Sequence, residues 1–290
     1  MEGFLLQVLS GLATGGIYAS LALAVVMIFK ATNLVNFAQG EMAMFATYIA
    51  WQLLDWGMPY WGAFFLTIAI AFVGGVAIER IVIRPFESHD AVLAVVTVFI
   101  GLFLILNSVA GWTWDYIIKV FPSPFPSGSY VGGYLSGHQI GLLGVTLSVL
   151  LLVYLFFRFT PLGLAMRAAA ENPESSRLVG IRVSWMLALG WGLAGALGAV
   201  AGMMVAPIVY LEPNMMAFVL IYAFAAALLG GIDNPWGAVV GGFIVGVLEN
   251  VMGAYVVGTE LKLSVALVII ITVLVAKPSG LFGKHLVTRV

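Results

Sequence analysis

The chain has no cysteine and only three histidines among its 290 residues, and charged side chains make up just 9% of it. Without cysteine, disulfides and thiolate metal sites are excluded. His89, His138 and His285 stand alone in the sequence and form no recognisable metal-ligand spacing. Soluble domains carry about 25% charged residues, so this scarcity excludes an ordinary soluble fold. A net charge of −1 leaves no basic patch to neutralise phosphates, which argues against nucleic acid as a partner. Motifs for chemistry are missing as well. Gly283-Lys284 has Pro278 where a phosphate-binding loop needs its first glycine, and no serine occupies a Gly-x-Ser-x-Gly elbow. The chain is not expected to be an enzyme, nor to bind a cofactor or metal of its own.

What is present is apolar: 62% hydrophobic residues, with a mean hydropathy of +1.11. This composition belongs to a polytopic, all-α bundle of transmembrane helices whose surroundings are the lipid bilayer. The 34 glycines suit membrane helices that pack closely. Several recur at four-residue spacing: Gly11 and Gly15, Gly198 and Gly202, Gly237 and Gly241, Gly242 and Gly246. Such pairs read as helix-packing positions.

Apolar runs occur near 4–29, 33–54, 60–83, 91–111, 141–158, 184–210, 215–231, 236–257 and 261–276. They give nine candidate spans in a single transmembrane domain covering 1–290. Met1-Glu2 supplies no basic n-region, so the first run reads as a retained span. With nine spans, Lys30, Arg80, Arg84, Arg158, Arg167, Arg177, Arg182, Lys277, Lys284 and Arg289 fall on one side, and only Lys119 and Lys262 on the other. The positive-inside rule then places the N-terminus outside and the C-terminus inside. Trp51, Trp56, Trp61, Trp112 and Trp114 gather at the outer interface, as an aromatic belt does. The external loop at 111–140 is rich in proline and glycine and has room for a short interfacial helix.

Inside the apolar runs a few polar residues stand out. Asn33, Asn36, Gln39 and Glu41 fall within nine residues at the start of the second run. A charged residue at a helix centre costs about 2.5–3.5 kcal/mol on insertion scales and needs a partner or water. Helical spacing puts Asn36, Gln39 and Gly40 on one face, with Asn33 a turn earlier. Two readings stand: a polar lining or broken helix on a solute path, or caps at the cytoplasmic interface. Glu249, about two-thirds along the eighth run, is a second path candidate, and Asn107 a weaker third. Glu79, Arg80, Arg84 and Pro85 close the third run and read as inner-interface anchors.

The cytoplasmic loop at 160–182, TPLGLAMRAAAENPESSRLVGIR, is the other polar feature. Residues 162–171 suit a short amphipathic helix carrying Arg167 outward and ending near Glu171. Asn172-Pro173 breaks it and starts a second, with Asn172 as N-cap, Pro173 at N1, Glu174 and Arg177 within it, and Gly180 just past its end. Two capped helices below a membrane read as a docking knob for a soluble partner.

Five ordered stretches, NFAQGEMAMFATY, AIERIVIRPFE, TPLGLAMRAAAENPESSRLVGI, GGIDNPWGAVVGGFIVGVLEN and AKPSGLFGK, resemble successive motifs of branched-chain amino acid ABC transporter permeases. The NFAxGE block is similar to that of the LivH-type subunit. The resemblance implies an importer in a bacterial inner membrane. It also implies a LivM-like permease partner, two cytoplasmic LivG- and LivF-like ATPases that bind ATP and Mg²⁺, and a periplasmic substrate-binding protein. By similarity, Arg167, Glu171, Asn172, Pro173, Glu174, Arg177 and Gly180 belong to the loop that seats in an ATPase groove. Related permeases carry urea, amides or aromatic acids, and a passive channel is the competing class.

Overall fold

The computed structural model describes residues 2–32, 34–87, 92–130, 132–133 and 135–283. Among them are twelve α-helices: α1 (Glu2–Thr32), α2 (Gln39–Asp55), α3 (Tyr60–Ala77), α4 (Arg84–Glu87), α5 (Val92–Trp114), α6 (Gly137–Phe159), α7 (Pro161–Glu171), α8 (Pro173–Leu178), α9 (Val183–Val209), α10 (Met215–Gly230), α11 (Pro235–Met252) and α12 (Lys262–Ala276). A π-helical turn, Ile78–Ile83, joins α3 to α4, and a second, Gly253–Val257, follows α11. Each of the nine apolar runs coincides with one of the long helices. Seven segments are long and apolar enough to cross a membrane, and Met215–Gly230 is a shorter apolar helix. The second run differs from expectation at its start: α2 begins at Gln39 and has only 17 residues. At 1.5 Å per residue, α2 and α10 each reach about 25 Å, less than the hydrocarbon thickness of about 30 Å.

The segment between α5 and α6 holds no short helix among its described residues. It carries instead a two-residue antiparallel pairing of β1 (Ser129–Tyr130) with β2 (Leu135–Ser136). Its prolines and glycines remove donors and favour turns, which suits a hairpin better than a helix.

The chain forms two compact units, Met1–Val26 with Phe125–Val145 and Phe218–Val290, and Met27–Pro124 with Thr146–Ala217. In the second, α9 is the hub. Its glycines are spaced so that two faces approach other backbones. A Cβ at Gly192 would lie 2.9 Å from the Phe72 carbonyl oxygen of α3, and one at Gly195 would meet that of Ala71. One at Gly198 would lie 2.8 Å from the Gln39 amide of α2, and one at Gly202 would be 2.8 Å from the Ala43 carbonyl oxygen. The missing side chains let three helices pack backbone to backbone.

The first unit uses the same device between α1 and α11. A Cβ at Gly11 would lie 2.7 Å from the Val247 Cα, and one at Gly15 2.9 Å from the Gly242 carbonyl oxygen. Gly242 and Gly246 meet the backbone of Ala19 and Gly15 in return. Gly237 and Gly241 sit against Gly230 and Ala226 of α10. All four glycine pairs read from the sequence are packing contacts. Two distant motifs also join here: Leu281 N–H donates to the Leu229 carbonyl at 2.7 Å, and Asn234 Nδ2 to the Phe282 carbonyl at 2.9 Å.

Because backbone cannot yield, Gly15→Val is expected to destabilise the fold by about 1–3 kcal/mol, the usual cost of overpacking. Gly74→Ala, where an added Cβ meets nothing within 4 Å, serves as control. Thermal unfolding in detergent, followed by size-exclusion chromatography, checks both: the first variant melts earlier and the second does not.

Candidate functional site

Glu41 lies in the first turn of α2 and is 2% exposed. Its Oε2 accepts a hydrogen bond from Asn107 Nδ2 of α5 at 3.3 Å. The same Asn107 amide also donates to the Pro213 carbonyl at 3.0 Å and to Asn214 Oδ1 at 3.2 Å. Two path candidates, distant in sequence, are thus brought together with a third group, the 213–214 loop before α10, that the sequence did not point to. Local turn chemistry builds the site. Asn36 is fully buried, and its Oδ1 accepts from the Ala38 N–H at 3.0 Å, turning the chain into α2. Asparagine competes with helical bonding in this way. Asn36 is therefore outside the helix, and the single helical face expected for Asn36, Gln39 and Gly40 does not form. Asn33 lies outside the described residues.

Gln39, also fully buried, donates from Nε2 to the Ala194 carbonyl of α9 at 3.0 Å. Its Oε1 has no hydrogen-bond partner among the described residues. The contacts at Ala194 and Gly198 fall on either side of the middle of the 27-residue α9. So α2 starts level with the centre of its neighbour rather than with its end, which explains why it is short. Thr47 closes the seam, donating to the Ala43 carbonyl one turn back at 2.8 Å.

Glu249 sits in a different environment. It is 6% exposed in α11, and its Oε2 accepts from Tyr18 Oη of α1 at 2.6 Å. Lys262 Nζ stands 3.8 Å from its Oε1 and donates to Asn250 Oδ1 at 2.8 Å. Asn250 Nδ2 points to the Gly246 carbonyl at 3.3 Å and Thr14 Oγ1 at 3.4 Å. The Tyr18 ring stacks on Tyr222 with 4.8 Å between centroids. Lys262, read as an outer-interface charge, folds its stem over Gly253 and turns its ammonium to the carboxylate. The Glu249 charge is answered within the chain, and the network ties α1, α11 and α12 together.

The 160–182 loop forms the two expected helices. Thr160 Oγ1 accepts from the Gly163 N–H at 3.0 Å, and Asn172 Oδ1 from the Ser175 N–H at 2.9 Å. Gly180 adopts φ +84°, and the bonds Ile181 N–H to Ser176 carbonyl (3.0 Å) and Gly180 N–H to Arg177 carbonyl (3.1 Å) complete a Schellman closure. Gly163, Met166 and Ala169, three residues apart, form the buried face of α7. Arg167, Glu171, Asn172, Pro173, Glu174, Arg177 and Gly180 are all exposed. Beside them Leu178 and Val179 are 89% and 76% exposed, an apolar pair left uncovered among the described residues. Lys30 lies 3.8 Å from Glu171.

Of the four residues read as inner-interface anchors, Glu79 departs from that reading. It is fully buried within the π-helical turn, with Arg80 Nε 3.7 Å away, while the Arg80 guanidinium covers the Trp185 ring at 3.7 Å. The extra residue of a π-turn re-aims the side chains that follow it, and helical spacing in the sequence does not reveal that.

The family model described as branched-chain amino acid transport system, permease component, matches residues 7–274. The chain is 30% identical to the high-affinity branched-chain amino acid transport system permease protein LivH of Escherichia coli K12, over 99% of this chain and 98% of that one. It is 31% identical to the corresponding permease protein BraD of Pseudomonas aeruginosa, with the same coverage. A probable LivH of Methanocaldococcus jannaschii is 30% identical over 91% of this chain and 87% of its own length.

Removing one partner of the Glu249–Lys262 pair leaves a buried charge, a loss of several kcal/mol in a sealed interior, and less here because the Lys262 side chain is 28% exposed. Lys262→Met is expected to lower the unfolding midpoint clearly, and Glu249→Gln with Lys262→Met to recover most of the loss. A double-mutant cycle of detergent melting curves measures the coupling.

Proposed function

The chain belongs to the family of permease components of branched-chain amino acid transport systems, and from that premise we propose that it is the membrane permease subunit of an ATP-driven importer for branched-chain and other hydrophobic amino acids. It is a multi-pass membrane protein. The reading of nine spans, with the N-terminus outside and the C-terminus inside a bacterial inner membrane, rests on the nine apolar runs of the sequence and the ten-to-two division of its basic residues. Seven helices among the described residues are long and apolar enough to cross. The partners in this reading are a LivM-like permease, LivG- and LivF-like ATPases and a periplasmic binding protein. ATP and Mg²⁺ bind on the ATPases, and this subunit hydrolyses nothing.

The observation that carries the reading is the closed form of the 160–182 loop. Six of its residues make a capped, Schellman-terminated helix, and the apolar side chains of Leu178 at its end and Val179 at its C-cap face outward. Exposed apolar groups rimmed by Arg177, Arg167 and Glu174 have the anatomy of a binding hot spot with a polar rim. A soluble ATPase seated there moves the loop. Because α7 is fixed to α6 at Gly163 and packs on α9, its motion reaches the helix hub. Rigid-body rocking of the bundle then opens the path to each side in turn.

Two outcomes are expected. Purified from its native membrane, the chain brings ATPase subunits with it, and reconstituted vesicles take up leucine only with ATP. Solute flux through the chain alone would instead indicate a passive channel. Arg177→Glu leaves the assembly intact but lowers binding-protein-stimulated ATPase activity about tenfold, the effect of one rim charge reversed against its partner. Unchanged stimulation in proteoliposomes counts against docking at this loop.

A further inference from the structure

Glu41 and Glu249 are both buried carboxylates, but only one has a cation. Glu249 has Lys262 at 3.8 Å, with Tyr18 and Asn250 completing its shell. Glu41 has the Asn107 amide at 3.3 Å, and no lysine or arginine forms an ion pair with it among the described residues. A carboxylate in a low-dielectric interior is costly unless a positive group answers it.

The arrangement around Asn107 indicates what that group is. Three oxygens, Glu41 Oε2, the Pro213 carbonyl and Asn214 Oδ1, lie 3.3, 3.0 and 3.2 Å from one nitrogen, Asn107 Nδ2. An amide NH₂ has two hydrogens, so it cannot satisfy three acceptors at once. A primary ammonium has three N–H donors and a full positive charge. The oxygens surround a point at N···O hydrogen-bond distances, longer than the 2.3–2.6 Å at which oxygen ligands hold a calcium ion. Exposure also grades across the group: Asn214 is exposed, Asn107 half-buried and Glu41 buried, so the carboxylate is reached from the loop side. Two residues before Glu41, at the start of α2, Gln39 lies against the centre of α9 and its Oε1 is a further buried acceptor without a partner among the described residues. Discontinuous helices starting at mid-depth are where membrane transporters place solute sites.

We propose that Glu41, Asn214 and the Pro213 carbonyl form a subsite for the primary ammonium group of the transported solute, with the Asn107 amide holding its place when the path is empty. This deepens the amino-acid importer reading and rests on it. An ammonium subsite selects amino acids over the urea, amides and amine-free acids that similar permeases carry. Glu249, already neutralised by Lys262, has no such role.

The test is ligand-observed saturation-transfer NMR on the full chain in lipid nanodiscs, without partners or ATP. The probes are L-leucine, isoamylamine, which keeps the amine and lacks the carboxylate, and isocaproate, which does the reverse. The expected result is saturation of leucine and isoamylamine but not of isocaproate. Glu41→Gln weakens both amines at least about tenfold, the equivalent of one lost charge-assisted bond. Glu41→Asp retains part of the signal. Equal signals from the three probes, no amine signal in the parent chain, or no loss in Glu41→Gln overturns the proposal. Asn214→Leu, on an exposed loop, repeats the test if Glu41→Gln does not fold. Sodium chloride in place of choline chloride distinguishes a metal cation: displacement of isoamylamine by sodium also overturns the assignment to a solute amine. None of these readouts needs an ATPase. Failure here therefore leaves the ATP-driven reading standing, and loss of ATPase coupling in Arg177→Glu leaves this signal unchanged.

Discussion

The structure depends on backbone-to-backbone contact between helices, made possible by glycine at the crossing points. In a bilayer there is little hydrophobic driving force between apolar helices, so close approach and the dispersion it gains must hold them. Gly192, Gly195, Gly198 and Gly202 let α9 touch both α3 and α2, and Gly11, Gly15, Gly242 and Gly246 lock α1 to α11. Once those seams are set, the positions of Gln39, Glu41 and Glu249 follow, since each lies on or beside a glycine-lined helix.

The same medium that rewards close packing penalises unpaired polar groups, and the chain treats two of its buried carboxylates, Glu41 and Glu249, differently. Around Glu249 the shell of Tyr18, Lys262 and Asn250 is complete, and it binds three helices into one piece. Around Glu41 the shell is short of a positive charge and has more acceptors than donors. The first arrangement is what a structural brace requires. The second is what a passage for a cationic group requires, since a site already satisfied has nothing to offer a solute.

Much of this was legible in the sequence because it follows from local rules. The nine apolar runs, the glycine pairs, and the caps at Asn172 and Gly180 are each set by a few neighbouring residues. The chain also folds the distant GGIDNPWG and KPSGLF stretches against each other, which local patterning does not reveal. Non-local pairings were the part not legible: Asn107 with Glu41, Lys262 with Glu249, and the role of Pro213-Asn214. The start of α2 was misplaced because Asn36 forms a side-chain turn that removes it from the helix. Glu79 was read as an anchor from its place at the end of the third run, and nothing in the sequence showed that a π-turn would bury it. Lys262, one of only two basic residues on the side assigned few positive charges, was the one sequence signal that pointed toward the Glu249 pairing.

The central claim is that an ATPase works this permease through the 160–182 loop. The most direct measurement is photocrosslinking in the native membrane, with a benzophenone amino acid in place of Leu178. The account predicts a single major adduct to a nucleotide-binding subunit, diminished when Arg177 is reversed to glutamate. Adducts to lipid alone, or to no ATPase at all, would contradict it.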